Sequence, residues 1–178
     1  MATVAQLIAE RLQEAGIRHA FGIPGGEVLS LVDALQETGI RFVLVKHENC
    51  GGFMAEGVHQ RTGAPALLLT TVGPGLANAV NVVANAQQDR VPLILLTGCI
   101  EPAAAQTYTH QWFDQSALMR PITKACFVAE PDAADVMIDK AVRYKTGAFT
   151  MVCAISGDGK SPALERAEGE LGDDFVAH

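Results

Sequence analysis

Basic residues are scarce. Thirteen Lys and Arg stand against twenty Asp and Glu, a net charge of −7, and the cations do not cluster. A nucleic-acid surface needs gathered positive charge, so no nucleic-acid partner is expected. Long apolar runs are also missing: none nears the ~20 residues of a membrane span, so no membrane segment is expected. The four cysteines, Cys50, Cys99, Cys126 and Cys153, include no pair at CxxC spacing. That removes the usual redox and zinc motifs, and the five dispersed His residues offer no metal set either. Met1 leads straight into an amphipathic segment with no leader pattern. Cys99 and Cys153 lie in or beside apolar runs and read as core thiols, consistent with a reducing cytoplasm.

What is present is apolar. Hydrophobic residues make up 49% of the 178, charged ones 19%, enough for one well-buried domain and too little chain for two. Thr3 to Ala15 carries Val4, Leu7, Ile8 and Leu12 on one helical face, with Gly16 as a stop. Further helices are expected over Glu27–Thr38, Asn49–Arg61, Leu76–Gln88 and Asp132–Lys145. Strands are expected at "RHAFGI", "RFVLV", "PALLLTT", "PLILLTG", "KACFVAE" and "AFTMVCAI". "RFVLV" lacks polar alternation and reads as covered on both faces. Cys99 to Met119 is a looser section. Short apolar runs alternating with helical patterns imply an α/β fold: three α/β/α layers around a mainly parallel, roughly six-stranded sheet. Residues 1–160 form the domain, and 161–178, rich in Pro, Ala and Glu, a tail or linker.

In such sheets ligands bind at the carboxyl ends of the strands. Three turns fall there: "PGG" at Pro24–Gly26, "KHEN" at Lys46–Asn49 and "TTVGPG" at Thr70–Gly75. Glu48 sits where an apolar strand hands over to a helix. An acid in a first turn gains ~0.3–1 kcal/mol from the helix dipole, so capping is one reading of Glu48. The other is chemical. A dinucleotide-binding turn would need GxGxxG, and "GIPGGE" does not supply it.

Four stretches in order, "FGIPGGEVLSLVDAL", "VKHENCGGFMAEGVHQRTG", "LLLTTVGPGLANAVNVVANAQQDRVPLILLTG" and "QWFDQSALMRPITK", carry a resemblance over residues 3 to 155. They resemble the N-terminal, pyrimidine-binding domain of thiamine-diphosphate enzymes of the acetolactate synthase and pyruvate oxidase group. The resemblance implies that Glu48 is the catalytic glutamate. It shares a proton with the cofactor's aminopyrimidine N1′, and the resulting 4′-imino group then deprotonates the thiazolium. A carboxyl removed from water can hold such a proton near neutral pH.

By the same resemblance, Pro24, Gly25, Gly73, Pro74, Gly75 and Asn78 line the cofactor, and Gly26 and Gln111 lie on the substrate side. Gly51–Gly52, costly in a helix, would pack against a two-fold mate, implying a homodimer. No metal ligand is expected in this chain. Mg²⁺ and the diphosphate would be held by a separate domain or subunit of the same enzyme, and the substrate would be a 2-oxo acid, decarboxylated or ligated. The "GDG" at Gly157–Gly159 is not followed by the Asn of that second domain and reads as a decoy. Relatives resembling pyruvate decarboxylase carry an acid at the position of Gly26 and a His-His pair where Thr109 and His110 stand, so the acetolactate-synthase-like subgroup fits better. The alternative is a binding module that kept the fold and lost the chemistry. The chain would be a separately encoded subunit or an excised domain.

Overall fold

The structure, a computed structural model, describes residues 3–100, 106–107, 110–129, 133–143 and 149–153. Along the chain run α1 (Val4–Glu14), β1 (His19–Ile23), α2 (Leu29–Glu37), β2 (Arg41–Leu44), α3 (Glu48–Thr62), β3 (Ala66–Thr70), α4 (Pro74–Asn78) and α5 (Val80–Asp89). Then come β4 (Leu93–Gly98), α6 (Gln115–Met119), β5 (Ala125–Ala129), α7 (Ala134–Arg143) and β6 (Phe149–Cys153). The "GDG" of Gly157–Gly159, the boundary at 160 and the tail lie outside the described residues.

The described strands make one six-stranded sheet in the order β2-β1-β3-β4-β6-β5, and every pairing is parallel. Parallel strands need crossover helices, which cover both faces. The central strands show how the chain serves two cores. In β3 and β4, Leu67, Leu69, Ile94 and Leu96 point to one side and meet Ile8, Leu12, Leu31, Leu35 and Ile138 of α1, α2 and α7. Their alternates, Ala66, Leu68, Leu93 and Leu95, point to the other and meet Ala55, Leu76, Val82 and Met119. Each fully enclosed leucine contributes roughly 1.5–3 kcal/mol relative to exposure.

The helix ends follow local chemistry. Thr3 and Gln6 form a reciprocal capping box at the start of α1. Gly63 closes α3 in the left-handed conformation, φ 76°. His47, not Glu48, caps α3: its Nδ1 accepts from the Asn49 N–H at 3.2 Å. Glu48 is the first helical residue, so its carboxyl is not used as a cap.

Four expectations need correction. "RFVLV" has apolar residues toward both cores, through Phe42 and Val43, but β2 is a sheet edge and leaves Leu44 69% exposed. The helix expected over Leu76–Gln88 starts at Pro74 and breaks at Ala79, giving α4 and α5. Ala79 has no polar side chain to cap α5. Asn49 of α3 reaches across instead, its Oδ1 accepting from the Val82 N–H at 2.9 Å. The looser section contains α6, capped by Asp114, whose Oδ1 accepts from the Ala117 N–H at 2.8 Å. Cys99 is half-buried rather than enclosed.

The two glycines of α3 also answer to a different neighbour than expected. Both are buried within the chain. A Cβ on Gly51 would meet Val45 at 3.1 Å and Leu68 at 3.2 Å, and one on Gly52 would overlap Val82 of α5. They close α3 onto the sheet and onto α5, and no two-fold mate is needed to explain them.

Candidate active site

β1, β2, β3 and β4 all end on the same edge of the sheet, as parallel strands must, and the turns that follow converge there. Glu48 follows β2 and is 5% exposed. Its Oε2 accepts from Asn78 Nδ2 at 3.0 Å, so the end of α4 fixes the carboxyl's rotamer. Its other oxygen faces the first turn of α4. A Cβ placed on Gly75 would stand 3.3 Å from Glu48 Oε1 and 2.5 Å from Thr71 Cγ2.

Gly73 is required by conformation as well as space. Its φ of 64° lies where side chains are disfavoured, and a Cβ there would overlap the carbonyl oxygen of Gln111. Pro74 then opens α4 at a position where its missing N–H costs nothing. Glu48, Gly73, Pro74, Gly75 and Asn78 thus come together as one group.

The remaining expected residues surround it. Pro24 and Gly25 follow β1 and are half-buried. Gly25 abuts Thr71 of the β3 turn. Gly26 is exposed and begins a single 3-10 turn, Gly26–Val28. Gln111 reaches the site by its backbone, at a positive φ of 61°, while its side chain is exposed. His110 is exposed too.

Two polar residues that sequence reasoning passed over are more deeply placed. Gln115 is 6% exposed. Its Oε1 accepts from the Gly73 N–H at 2.6 Å and its Nε2 donates to the Gly98 carbonyl at 2.9 Å. Glu27 is 7% exposed, and its Oε1 accepts from the Thr71 hydroxyl and from the Val72 N–H. The signal for Gln115 was Asp114, a capping residue directly before "QSALM". For Glu27 it was an acid directly after the "PGG" turn, ahead of the apolar Val28 and Leu29. Among the described residues, no three His, Cys, Asp or Glu side chains converge as a metal site would require.

A buried carboxyl held by Asn78, beside a turn that admits no side chain at Gly75, stands at the carboxyl edge of a parallel sheet, where α/β folds bind their ligands. The comparisons give that arrangement a family. Residues 2–118 match the family described as "Thiamine pyrophosphate enzyme, N-terminal TPP binding domain", and the chain belongs to it. An acetolactate synthase of Bacillus subtilis (strain 168) is 38% identical over 120 residues, covering 67% of this chain and 21% of that protein. The acetolactate synthase isozyme 1 large subunit of Escherichia coli (strain K12) is 40% identical over 123 residues, 68% of this chain and 22% of its own length. An acetolactate synthase of Mycobacterium avium is 39% identical over 127 residues, 71% of this chain and 20% of its own. The chain therefore spans about a fifth of the length of these relatives. Across the described residues, no helix is long and apolar enough to cross a membrane.

The residues fit the cofactor that the family name implies. A side chain on Gly75 would fill the space beside Glu48, one on Gly73 would run into the Gln111 backbone, and Asn78 holds that carboxyl in one orientation.

Proposed function

We propose that this chain is the pyrimidine-binding half of a thiamine-diphosphate enzyme acting on a 2-oxo acid, by decarboxylation or by acetolactate-synthase-like ligation. When bound, thiamine diphosphate supplies an electron sink at the carbonyl carbon of such a substrate. The chain's own residues do the rest of what this half contributes. Glu48 holds and moves the proton at the pyrimidine N1′. Asn78 orients Glu48. Pro24, Gly25, Gly73, Pro74 and Gly75 let backbone approach the ring, and Gly26 and Gln111 face the substrate side. The carrying observation is Glu48, almost wholly buried yet, among the described residues, accepting a single hydrogen bond, from Asn78. Burying a carboxyl is costly unless its remaining capacity is used.

The diphosphate and Mg²⁺ belong, on this reading, to a separate domain or subunit of the same enzyme. Two features support it: the relatives are four to five times longer than the matched segment, and a net charge of −7 does not favour a diphosphate. The domain would also pair with a second copy of itself. Cys50, Phe53, Met54 and Gly57 lie at helical spacing along the outer face of α3 and are exposed, Phe53 by 42% and Met54 by 50%. Such an apolar stripe suits an interface.

The test is Glu48→Gln in the complete enzyme. The amide keeps the shape but cannot exchange a proton with N1′. C2–H/D exchange of bound thiamine diphosphate, followed by NMR, should fall by about a hundredfold or more, the scale of a lost general acid–base group. Circular dichroism should be unchanged. Exchange at the wild-type rate would sink the assignment.

A further inference from the structure

Glu27 is a buried carboxyl that none of the roles above employs. An isolated buried carboxyl is expensive, so its surroundings say what it is for. One oxygen, Oε1, takes both available donors of the β3 turn: the Thr71 hydroxyl and the Val72 N–H, the latter at 2.8 Å. Two glycines from two other strand ends make room for it. A Cβ on Gly25, after β1, would lie 2.7 Å from Glu27 Oε1, and one on Gly98, ending β4, 2.8 Å from the same atom. One side chain thus joins the carboxyl ends of β1, β3 and β4.

From there the contact continues to Glu48 through a single residue. The Thr71 hydroxyl meets Glu27, and its methyl borders the space a Cβ of Gly75 would take, a space that Glu48 Oε1 borders too, 3.3 Å from that position. A turn of Thr71 about its side-chain bond would therefore disturb Gly75 and the space beside Glu48. Gln115 holds the same turn from the other side, through the Gly73 N–H.

Resting on the pyrimidine-site reading, we infer that Glu27 is a positioning residue. It anchors the Thr71–Gly75 turn and so fixes the cradle against which Glu48 works. Because the function is to accept two hydrogen bonds, an amide oxygen can perform it. Glu27→Gln should therefore behave nearly as wild type, and Glu27→Ala should not.

The test has two readouts in the complete enzyme. Without cofactor, hydrogen exchange of the Val72 and Gly73 amides, read by mass spectrometry, should rise about tenfold or more in Glu27→Ala and stay near wild type in Glu27→Gln. With thiamine diphosphate and Mg²⁺ as the probe, C2–H exchange should fall about ten- to a hundredfold in Glu27→Ala. The Kd should move less than about threefold, since positioning acts on the reacting state, and Glu27→Gln should restore the rate.

Unchanged amide protection in Glu27→Ala would overturn the anchor. A loosened turn with an intact C2–H rate would overturn its link to Glu48, and a Gln variant as impaired as Ala would show that the charge acts directly. If Glu48→Gln also leaves C2–H exchange untouched, the site reading itself has failed, and the amide data still report on the anchor separately. Should Glu27→Ala not fold, Thr71→Val removes the hydroxyl alone. A loss of about threefold or more in C2–H exchange is then expected, and none would overturn the proposal.

Discussion

Adding one methyl group at Gly52 sets two known effects against each other. Gly to Ala in a helix interior gains about 0.8–1 kcal/mol from propensity alone. At this position the new Cβ would stand 2.7 Å from Val82 Cγ2 and 3.0 Å from Val82 Cβ, and would overlap Cγ1. Carbons pack at about 3.5–4.0 Å, so α3 and α5 must part by roughly an ångström, or Val82 must leave its rotamer. Neither is easy. Val82 is fully buried, its backbone is tied to Asn49, and a helical valine keeps one strongly preferred χ1. Overpacking of this kind costs about 1–3 kcal/mol, and two methyl contacts place it toward the upper end.

The net expectation for Gly52→Ala is a loss of about 1–2 kcal/mol, or roughly 2–8 °C in Tm for a domain of this size. Thermal and urea unfolding read it directly. Val82→Ala alone should also destabilise, by leaving a hole. Combined, the two should recover at least about 1 kcal/mol relative to their sum, because the new methyl occupies the space the old ones left. Strict additivity would refute the contact. A neutral or stabilised Gly52→Ala with weakened self-association would refute it more fully, and would return the glycine to a contact between copies.

Two further perturbations follow from single residues. Burial holds the Glu56 carboxyl above its ordinary range; a hydrogen bond from Asn85 opposes the shift, the nearby Asp89 charge adds to it and His59 opposes it. The native state then binds more protons than the unfolded one just above the usual glutamate range, so stability should fall as pH rises through that window and stay lowered above it. Glu56→Gln should raise Tm at pH 7, and the gap should close as pH drops into the ordinary glutamate range; a pH-independent difference would contradict this. At Gly73, alanine would face both a φ of 64° and the Gln111 carbonyl. About 1–3 kcal/mol of strain is expected from the backbone alone. Calorimetry should show weakened thiamine diphosphate binding by the complete enzyme, and unchanged stability and affinity would remove the cradle role.

Much of the fold was legible because the relevant signals are local. Leu67 to Leu69 and Leu93 to Leu96 are apolar without alternation, the pattern of a strand covered on both faces. Gly16, Gly39 and Gly63 mark helix ends by a backbone need carried in the residue itself. The β2 edge was not legible, since apolar residues on both faces say nothing about whether a strand has one neighbour or two. Nor was the break at Ala79. The cap that permits it comes from Asn49, thirty-three residues away from Val82.

The site divides along the same line. That Glu48 and the Gly73–Gly75 turn come together was legible because both follow parallel strands, whose ends share one edge of the sheet. The purpose of Gly51 and Gly52 was not, because a glycine records that something lies close and not what it is. Here it is the sheet and Val82 rather than another chain. Glu27 and Gln115 were missed for a related reason. In sequence each is a polar residue at the start of a helical segment, where an exposed position is the ordinary expectation. Only the fold brings Glu27 to donors forty-four and forty-five residues away, and Gln115 to one forty-two residues away. Both bind backbone of the same turn, and that turn is the one the sequence motif marks. The motif thus marks the turn, while the side chains that hold the turn in shape lie outside it. That division predicts where substitutions will be most misleading: a change at Glu27 or Gln115 should imitate a lesion in the site while every motif residue remains intact.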